Sequence, residues 1–347
     1  MREFMSRIDS IDVGRRREGK IMEMESKRIK FICVIVPVLF ILCCQIAVAQ
    51  EYPTKAVVIV IPRPPGGASE LTTRAVTSVA ADYLGQPIIN RLMPGGNGAI
   101  GCDFVAKALP DGYTLLTGEL GWNTALPAIE GRAKGPDDMV AVCRINYNPT
   151  IICAKADAPF KTWKQLMAWV QENPGKLTVG TPGPWSPPDM LWKLIAKQTG
   201  IKIRIVPFDG GGTMFTALLG GHIDVGHARP IMYYPYRGTG KIVPLLFLDE
   251  ARHPQLPDVP TGIEEGLSGQ INVVSRPWVG VMAPKGTPRP ILEKLSVAFK
   301  KMVEDKTVIA MLKQFGDDIN YLGHDEFTKY WREEYELYKE LGKTFKK

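Results

Sequence analysis

The sequence predicts an α/β protein of two lobes with a hinge and a ligand cleft between them. Three observations carry this. Short runs of branched apolar residues alternate with helical patterns, beginning at Val57-Val58-Ile59-Val60-Ile61, and such continuous runs suit strands buried on both faces of a parallel sheet. The alternation resumes after Thr150 as a second α/β unit, in a chain of 347 residues that exceeds one average domain. A late strand, Trp278 to Ala283, is expected to return to the first unit, so the lobes are joined by more than one crossing, as in receptors that close about a hinge.

Taken in order, the first strand ends abruptly at Pro62-Arg63-Pro64-Pro65-Gly66-Gly67, where prolines and glycines force a tight turn. Ser69 reads as an N-cap, with Leu71, Ala75, Val79 and Tyr83 following at helical spacing. Gln86 to Ile89 is a second strand, Asp103 to Leu109 a helix, and Tyr113 to Thr117 a third strand that Gly118 ends. Residues 118–139 give no clear pattern. Val140 to Ile145 and Thr150 to Ala154 are strands flanking the first crossing. Thr162-Trp163-Lys164-Gln165 is a capping box. Ser186 caps a further helix with Pro187 at its first position. Strands are expected at Lys176 to Gly180, Ile203 to Phe208, Ile223 to Val225 and Ile242 to Phe247, with a helix from Met214 to Leu219. Three helices close the chain, the last capped by Asp325 and striped by Phe327, Tyr330/Trp331, Tyr335 and Tyr338 as core or lobe packing.

The front of the chain reads as a signal peptide. Lys27-Arg28-Ile29-Lys30 is basic, Phe31 to Cys44 is apolar, and Ala47-Val48-Ala49 offers a cleavage site. An uncleaved anchor is the alternative, but the apolar run is short for a span of about 20 residues. The protein is therefore expected to be exported, beginning at Gln50 or Glu51. Lobe 1 is drawn at 50–150 with 275–347, and lobe 2 at 151–274. Residues 1–50 hold nine Lys/Arg and six Asp/Glu, which leaves 34 against 30, or +4, for the rest; so slight an excess, without basic clusters, argues against nucleic acid. Cys102, Cys143 and Cys153 remain after cleavage. A Cys143–Cys153 bridge stays open, with three small buried apolar residues the preferred reading.

Gly96-Asn97-Gly98-Ala99-Ile100-Gly101 matches a dinucleotide fingerprint literally, with Glu119 at a tolerable distance. An exported protein has little access to dinucleotides, and a tight turn with close helix packing is preferred. No nucleophile elbow or phosphate loop is present. His222, Asp224 and His227 do not share one face of an element. No catalytic set, metal site or cofactor is expected, and the protein is read as not an enzyme.

What remains is a pair of strand-to-helix loops. The first holds Arg63, Gly66, Gly67, Ala68, Ser69 and Glu70; the second holds Thr181, Gly183, Trp185 and Ser186. Each aims backbone N–H groups at the carboxyl ends of strands, where α/β sheets bind ligands. Facing one another, they would clamp a carboxylate. Gly118 and Phe208, at strand ends, Gly211 in the next glycine loop, and Arg229 complete the candidate ligand-binding set.

These residues resemble the extracytoplasmic receptors of the tripartite tricarboxylate transporter type, or Bug family. The resemblance rests on Tyr52-Pro53, Pro65-Gly66-Gly67, Asn90-Arg91 and Pro94-Gly95-Gly96-Asn97-Gly98. It continues through Pro110-Asp111-Gly112-Tyr113, Pro174-Gly175-Lys176-Leu177, Leu218-Leu219-Gly220-Gly221-His222-Ile223-Asp224, Pro257-Asp258-Val259-Pro260 and Ala283-Pro284-Lys285-Gly286-Thr287-Pro288. It implies a type II periplasmic binding protein fold, and a ligand carboxylate held by Gly66, Gly67 and Ser69 in one loop and Thr181, Gly183 and Ser186 in the other. It further implies delivery to membrane permease subunits by a monomeric receptor; a sensor presenting the ligand to a membrane signalling partner is the alternative. Against the family pattern stand Glu70 in place of Asp, Arg63 in place of an aromatic residue, and Pro184-Trp185 in place of small residues. Arg63 and Trp185 raise aromatic or dicarboxylic acids as ligands.

Overall fold

In the computed structural model, residues 52–345 are described, apart from positions 133, 148, 270, 272, 273 and 275. The expected signal peptide therefore lies outside the described residues. Two five-stranded sheets form the frame. The first contains β1 (Val57–Ile61), β2 (Ile88–Leu92), β3 (Thr114–Glu119), β4 (Met139–Tyr147) and β10 (Trp278–Pro284), in the order β2-β1-β3-β10-β4. The second contains β5 (Thr150–Lys155), β6 (Thr178–Thr181), β7 (Arg204–Pro207), β8 (Val225–Ala228) and β9 (Ile242–Leu248), in the order β7-β6-β8-β5-β9. The chain passes from the first sheet to the second after Tyr147 and back between Leu248 and Trp278.

Neither sheet is wholly parallel, as the alternation of elements suggested. β1 runs parallel to β2 and β3, but β10 lies antiparallel between β3 and β4. In the second sheet β6 is parallel to β7 and β8, while β5 is antiparallel to β8 and β9. The strands that break the parallel order, β5 and β10, are the ones entered from the other lobe. Their direction follows from the crossing, which no local pattern in the sequence records.

Helices cover the sheets: α1 (Ala68–Thr77), α2 (Ala80–Leu84), α3 (Ala99–Ala106), α4 (Leu126–Glu130), α5 (Trp163–Glu172), α6 (Pro187–Thr199), α7 (Gly211–Leu219), α8 (Pro230–Tyr233), α9 (Arg289–Val303), α10 (Lys306–Gln314) and α11 (His324–Phe345). Thr162 and Ser186 cap α5 and α6 through their side chains, accepting from the Gln165 and Asp189 N–H groups. Ser69 does not cap α1. That helix starts two residues earlier, with Gly67 as N-cap and no side-chain cap. Asp325 likewise lies inside the first turn of α11. The unreadable stretch after Gly118 contains a π-helical turn, Gly121–Ala125, that runs directly into α4; its backbone pattern has no counterpart in helical or strand periodicity.

The glycine fingerprint is a turn followed by α3, and a Cβ on Gly101 would come within 2.7 Å of the Pro62 side chain. It serves close packing of helix on strand. Cys102, Cys143 and Cys153 are free, fully buried thiols, and burial pushes each thiol's pKa up. The Cys143–Cys153 bridge is thus not formed. On α11, Phe327, Trp331 and Tyr338 are buried, Tyr330 and Tyr335 are only half-buried at the edge of the stripe, and Glu334 is buried. Among the described residues no helix is long and apolar enough to cross a membrane.

Candidate functional site

The site grows from the end of β1. Pro62, Pro64 and Pro65 donate no N–H groups and cannot extend the strand, so the chain turns at Gly66, whose φ is 84°, and enters α1 at Ala68. The first N–H groups of a helix have no intrahelical partner. With no side chain capping α1, those of its first turn stay available to an anion, at the positive end of the helix dipole. Glu70 is not one of the free groups. Its carboxylate accepts the Gly66 N–H at 3.2 Å and pairs with Arg74 one turn on. It holds the loop in shape, and Arg74 offsets its charge.

The second lobe supplies its counterpart from a different loop than the one expected. At the start of α6, Pro187 and Pro188 carry no N–H, and the Asp189 N–H is taken by the Ser186 hydroxyl. That hydroxyl in turn donates to the Gly183 carbonyl at 2.7 Å, and the Trp185 N–H donates to Asp189. The α6 terminus has no donor left for a ligand. Helix α7, by contrast, begins at Gly211 after Gly210 with no side-chain cap. Its Gly212 lies against the first-lobe turn, so that a Cβ there would stand 2.4 Å from the Pro65 carbonyl oxygen and 3.1 Å from the Gly67 nitrogen. Two uncapped helix N-termini, one from each lobe, therefore meet at their glycines.

Beneath them lies a cavity of about 70 Å³, room for roughly five water-sized groups. Gly67, Ala68, Ser69 and Gly211 line it from the two helix starts, and Arg63, Glu119, Arg229 and His227 from the strand ends. Arg229 donates to Glu119 across the lobes, both side chains being almost wholly buried. Its Nη1 is buried and has no partner among the described residues. Burial pulls the Arg229 pKa down to about 10; Asp317 opposes the shift and Arg63 adds to it. His227 accepts from the Trp192 indole at 2.8 Å, and its Nδ1 lies 3.2 Å from the Gly180 carbonyl, to which it donates. Burial pushes its pKa down to about 3, so it is neutral at pH 7 with both nitrogens engaged. Asp224 accepts from the Thr178 N–H and hydroxyl and pairs with Lys155 at 3.1 Å. Neither is left to ligate a metal.

Of the residues singled out from sequence, the cavity brings together Arg63, Gly67, Ala68, Ser69, Glu70, Ser186, Gly211 and Arg229. Gly66 stands behind the turn, with its N–H spent on Glu70. Gly118 is inside the first sheet, where a Cβ would lie 2.8 Å from the Met282 side chain; it is a packing glycine. Thr181 is buried in β6, and Phe208 is half-buried beside it, donating its N–H to the Thr181 carbonyl. Gly183 abuts Asn97 of the first lobe, with 2.6 Å between its would-be Cβ and the Asn97 Oδ1. Trp185 neither walls nor enters the cavity. Its indole donates to Glu130, its ring meets Phe345 edge-on at 5.7 Å, and Lys193 lies over it. With the Asn97 side-chain amide donating to the Pro184 carbonyl at 2.7 Å, it forms a second contact between the lobes.

Glu119, Gly121, Thr150 and Pro277 line the cavity and were not foreseen. Glu119 ends β3, and Thr150 and Pro277 flank the crossings. Position at a strand's carboxyl end was the available signal for Glu119; the others depend on how the lobes meet.

A family model described as the tripartite tricarboxylate transporter family receptor matches residues 72–345. The chain is 34% identical over 303 residues to the UPF0065 protein in the TAR-I ttuE-ttuC' intergenic region of Agrobacterium vitis, covering 87% of this chain and 85% of that one. Among solved structures, the periplasmic binding protein BugD superposes with a TM-score of 0.79 at 26% identity, over 84% of this chain and 98% of that one. MatC from Rhodopseudomonas palustris, solved with bound malate, superposes with a TM-score of 0.76 at 28% identity, over 84% of this chain and all (100%) of that one.

Proposed function

The chain belongs to the tripartite tricarboxylate transporter family of receptors, and on that premise we propose that it captures an organic carboxylate between its lobes and delivers it to the membrane permease subunits of such a transporter. The single observation that carries the ligand class is the convergence of two uncapped helix N-termini on a cavity flanked by two buried guanidiniums. Free N–H groups and cations without solvent favour an anion, and a planar carboxylate can accept from both helix ends at once. The lobes, drawn at 50–150 with 275–347 and at 151–274, close over it about the two crossings. Residues 1–49 direct export to the periplasm and are then removed.

A thermal-shift screen against malate, other dicarboxylates, monocarboxylates and aromatic acids tests the reading. A ligand at 100 times its dissociation constant adds about 2.7 kcal/mol to stability. Stabilisation by at least one acid but not by neutral solutes of the same size is the expected result; no shift with any acid would refute it. The lobe contact made by Trp185 gives a further expectation. Aromatic pairs contribute about 0.5–1.5 kcal/mol, so Trp185→Ala should weaken malate binding about 2- to 12-fold, as measured by titration calorimetry. Complete loss would place Trp185 in contact with the ligand instead.

A further inference from the structure

Among the described residues, Arg63 is the cation of this cleft that pairs with no carboxylate. It sits between Pro62 and Pro64, where the backbone is held by two rings, and its side chain lines the cavity with only 6% of its surface exposed. Its guanidinium lies over the Trp122 ring at 4.6 Å. Trp122 is fully buried and pinned by its own indole N–H, which donates to the Thr117 carbonyl at 3.3 Å. One further contact, Nη1 to the Pro182 carbonyl at 3.4 Å, reaches the second lobe. Among the described residues no carboxylate lies within ion-pair distance of Arg63. The acidic group that most favours its charge, Asp209, is itself exposed.

A guanidinium has five N–H donors, and burying one without a counter-ion is costly. The other carboxylates near the cavity are already committed: Glu70 to Arg74 and the Gly66 N–H, Glu119 to Arg229, and Asp189 to Lys193 and the Trp185 N–H. Arg63 also lies near enough to Arg229 to oppose its charge. An anionic group placed at Arg63 would satisfy its fork and relieve that repulsion. The helix N-termini cannot be the source of that need, since they present backbone N–H groups of their own that also want an anion.

We propose that Arg63, backed by Trp122, receives a second carboxylate of the ligand, so that the site selects dicarboxylates over monocarboxylates of the same chain length. This rests on the carboxylate reading above, with the first carboxylate at the two helix N-termini. With its guanidinium 4.6 Å from the Trp122 ring centroid and one N–H on the Pro182 carbonyl, Arg63 keeps further N–H donors for a carboxylate, which a guanidinium fork can bind bidentately. Trp122 acts here as a positioning residue.

Titration calorimetry with matched pairs, succinate against butyrate and adipate against hexanoate, reads the preference as a ratio of dissociation constants. The expected result is a preference for the diacid of about thirtyfold or more in at least one pair, the scale set by truncating one partner of a buried charge pair. In Arg63→Gln that ratio should collapse towards one. Arg63→Lys, which keeps the charge but loses the fork, should show an intermediate ratio and guards against a variant that fails to fold. Equal binding of the two acids in the unsubstituted protein, or a preference that survives in Arg63→Gln, would overturn the inference while leaving carboxylate capture standing. Binding of neither acid of either pair would overturn the inference, and carboxylate capture falls with it only if malate and the aromatic acids also fail to bind.

Discussion

Gly212→Ala is expected to weaken carboxylate binding by about 5- to 150-fold while leaving the unliganded protein folded. The added methyl would stand 2.4 Å from the Pro65 carbonyl oxygen, 3.0 Å from the Gly66 carbonyl carbon and 3.1 Å from the Gly67 nitrogen. All three are backbone atoms of the other lobe, and none can swing away as a side-chain tip would. Overpacking of this kind costs about 1–3 kcal/mol, which converts to the range given. The cost falls on the closed state alone, because the clash exists only when the lobes meet. Ligand binding coupled to closure therefore bears all of it. Calorimetry with malate measures the loss, and small-angle scattering should show the malate-bound variant more extended than its unsubstituted counterpart. Unchanged affinity would mean that Gly212 and Pro65 are apart when ligand is bound.

The second large effect lies away from the cleft. Glu334 is 8% exposed, on the apolar face of α11. Its carboxyl accepts from the Trp278 indole at 2.7 Å and the Thr124 hydroxyl at 3.0 Å on one oxygen, and from the Tyr330 hydroxyl at 3.1 Å on the other. Trp278 opens β10 where the chain re-enters the first sheet, and Thr124 belongs to the π-helical turn whose Gly121 lines the cavity. Arg144 stacks over Tyr330 at 4.8 Å and provides the nearby positive charge. Burial raises the Glu334 pKa from 4.5 to about 7, against the opposing hydrogen bonds.

Below pH 4.5 the carboxyl is neutral both folded and unfolded, and stability is at its full value. Between 4.5 and 7 the unfolded chain has lost the proton while the folded one retains it, so stability falls as pH rises. Above about 7 the loss is complete, at about 3 kcal/mol. Urea unfolding across this range should show that slope in the unsubstituted protein and not in Glu334→Gln, which should be the more stable of the two at pH 8. Parallel curves would show that Glu334 ionises as freely in the fold as out of it.

Much of the site is legible in the chain itself, but unevenly. Arg63, Gly67, Ala68 and Ser69 stand out because a buried strand, a proline–glycine turn and a helix follow one another within the sequence. Local geometry alone brings such residues to the cavity, beside an uncapped helix start. The second-lobe loop, Thr181 to Ser186, has the same strand–turn–helix form, and it reaches the cavity through Pro182 and Ser186. Two prolines and an internal serine cap consume its donors, and the donors that remain belong to Gly211 and its neighbours. Glu70 looks like a ligand-binding acid and is a brace, because its partner Arg74 lies one helical turn on. Trp185 looks like a cleft wall and is a lobe contact, because its positive φ of 60° accompanies a side chain that meets α4 and α11.

By itself the sequence determined the α/β class, the two lobes and the glycine turns, since periodicity, proline stops and capping residues act over a few positions and are written there. The antiparallel insertion of β5 and β10, the Arg229–Glu119 pair, the meeting of Gly212 with Pro65 and the burial of Glu334 were decided by tertiary structure. Each joins residues far apart in the chain, and each depends on the angle at which one lobe faces the other or one helix lies on its sheet. Hydrophobic burial specifies such faces in common. It does not specify which polar groups they bring together.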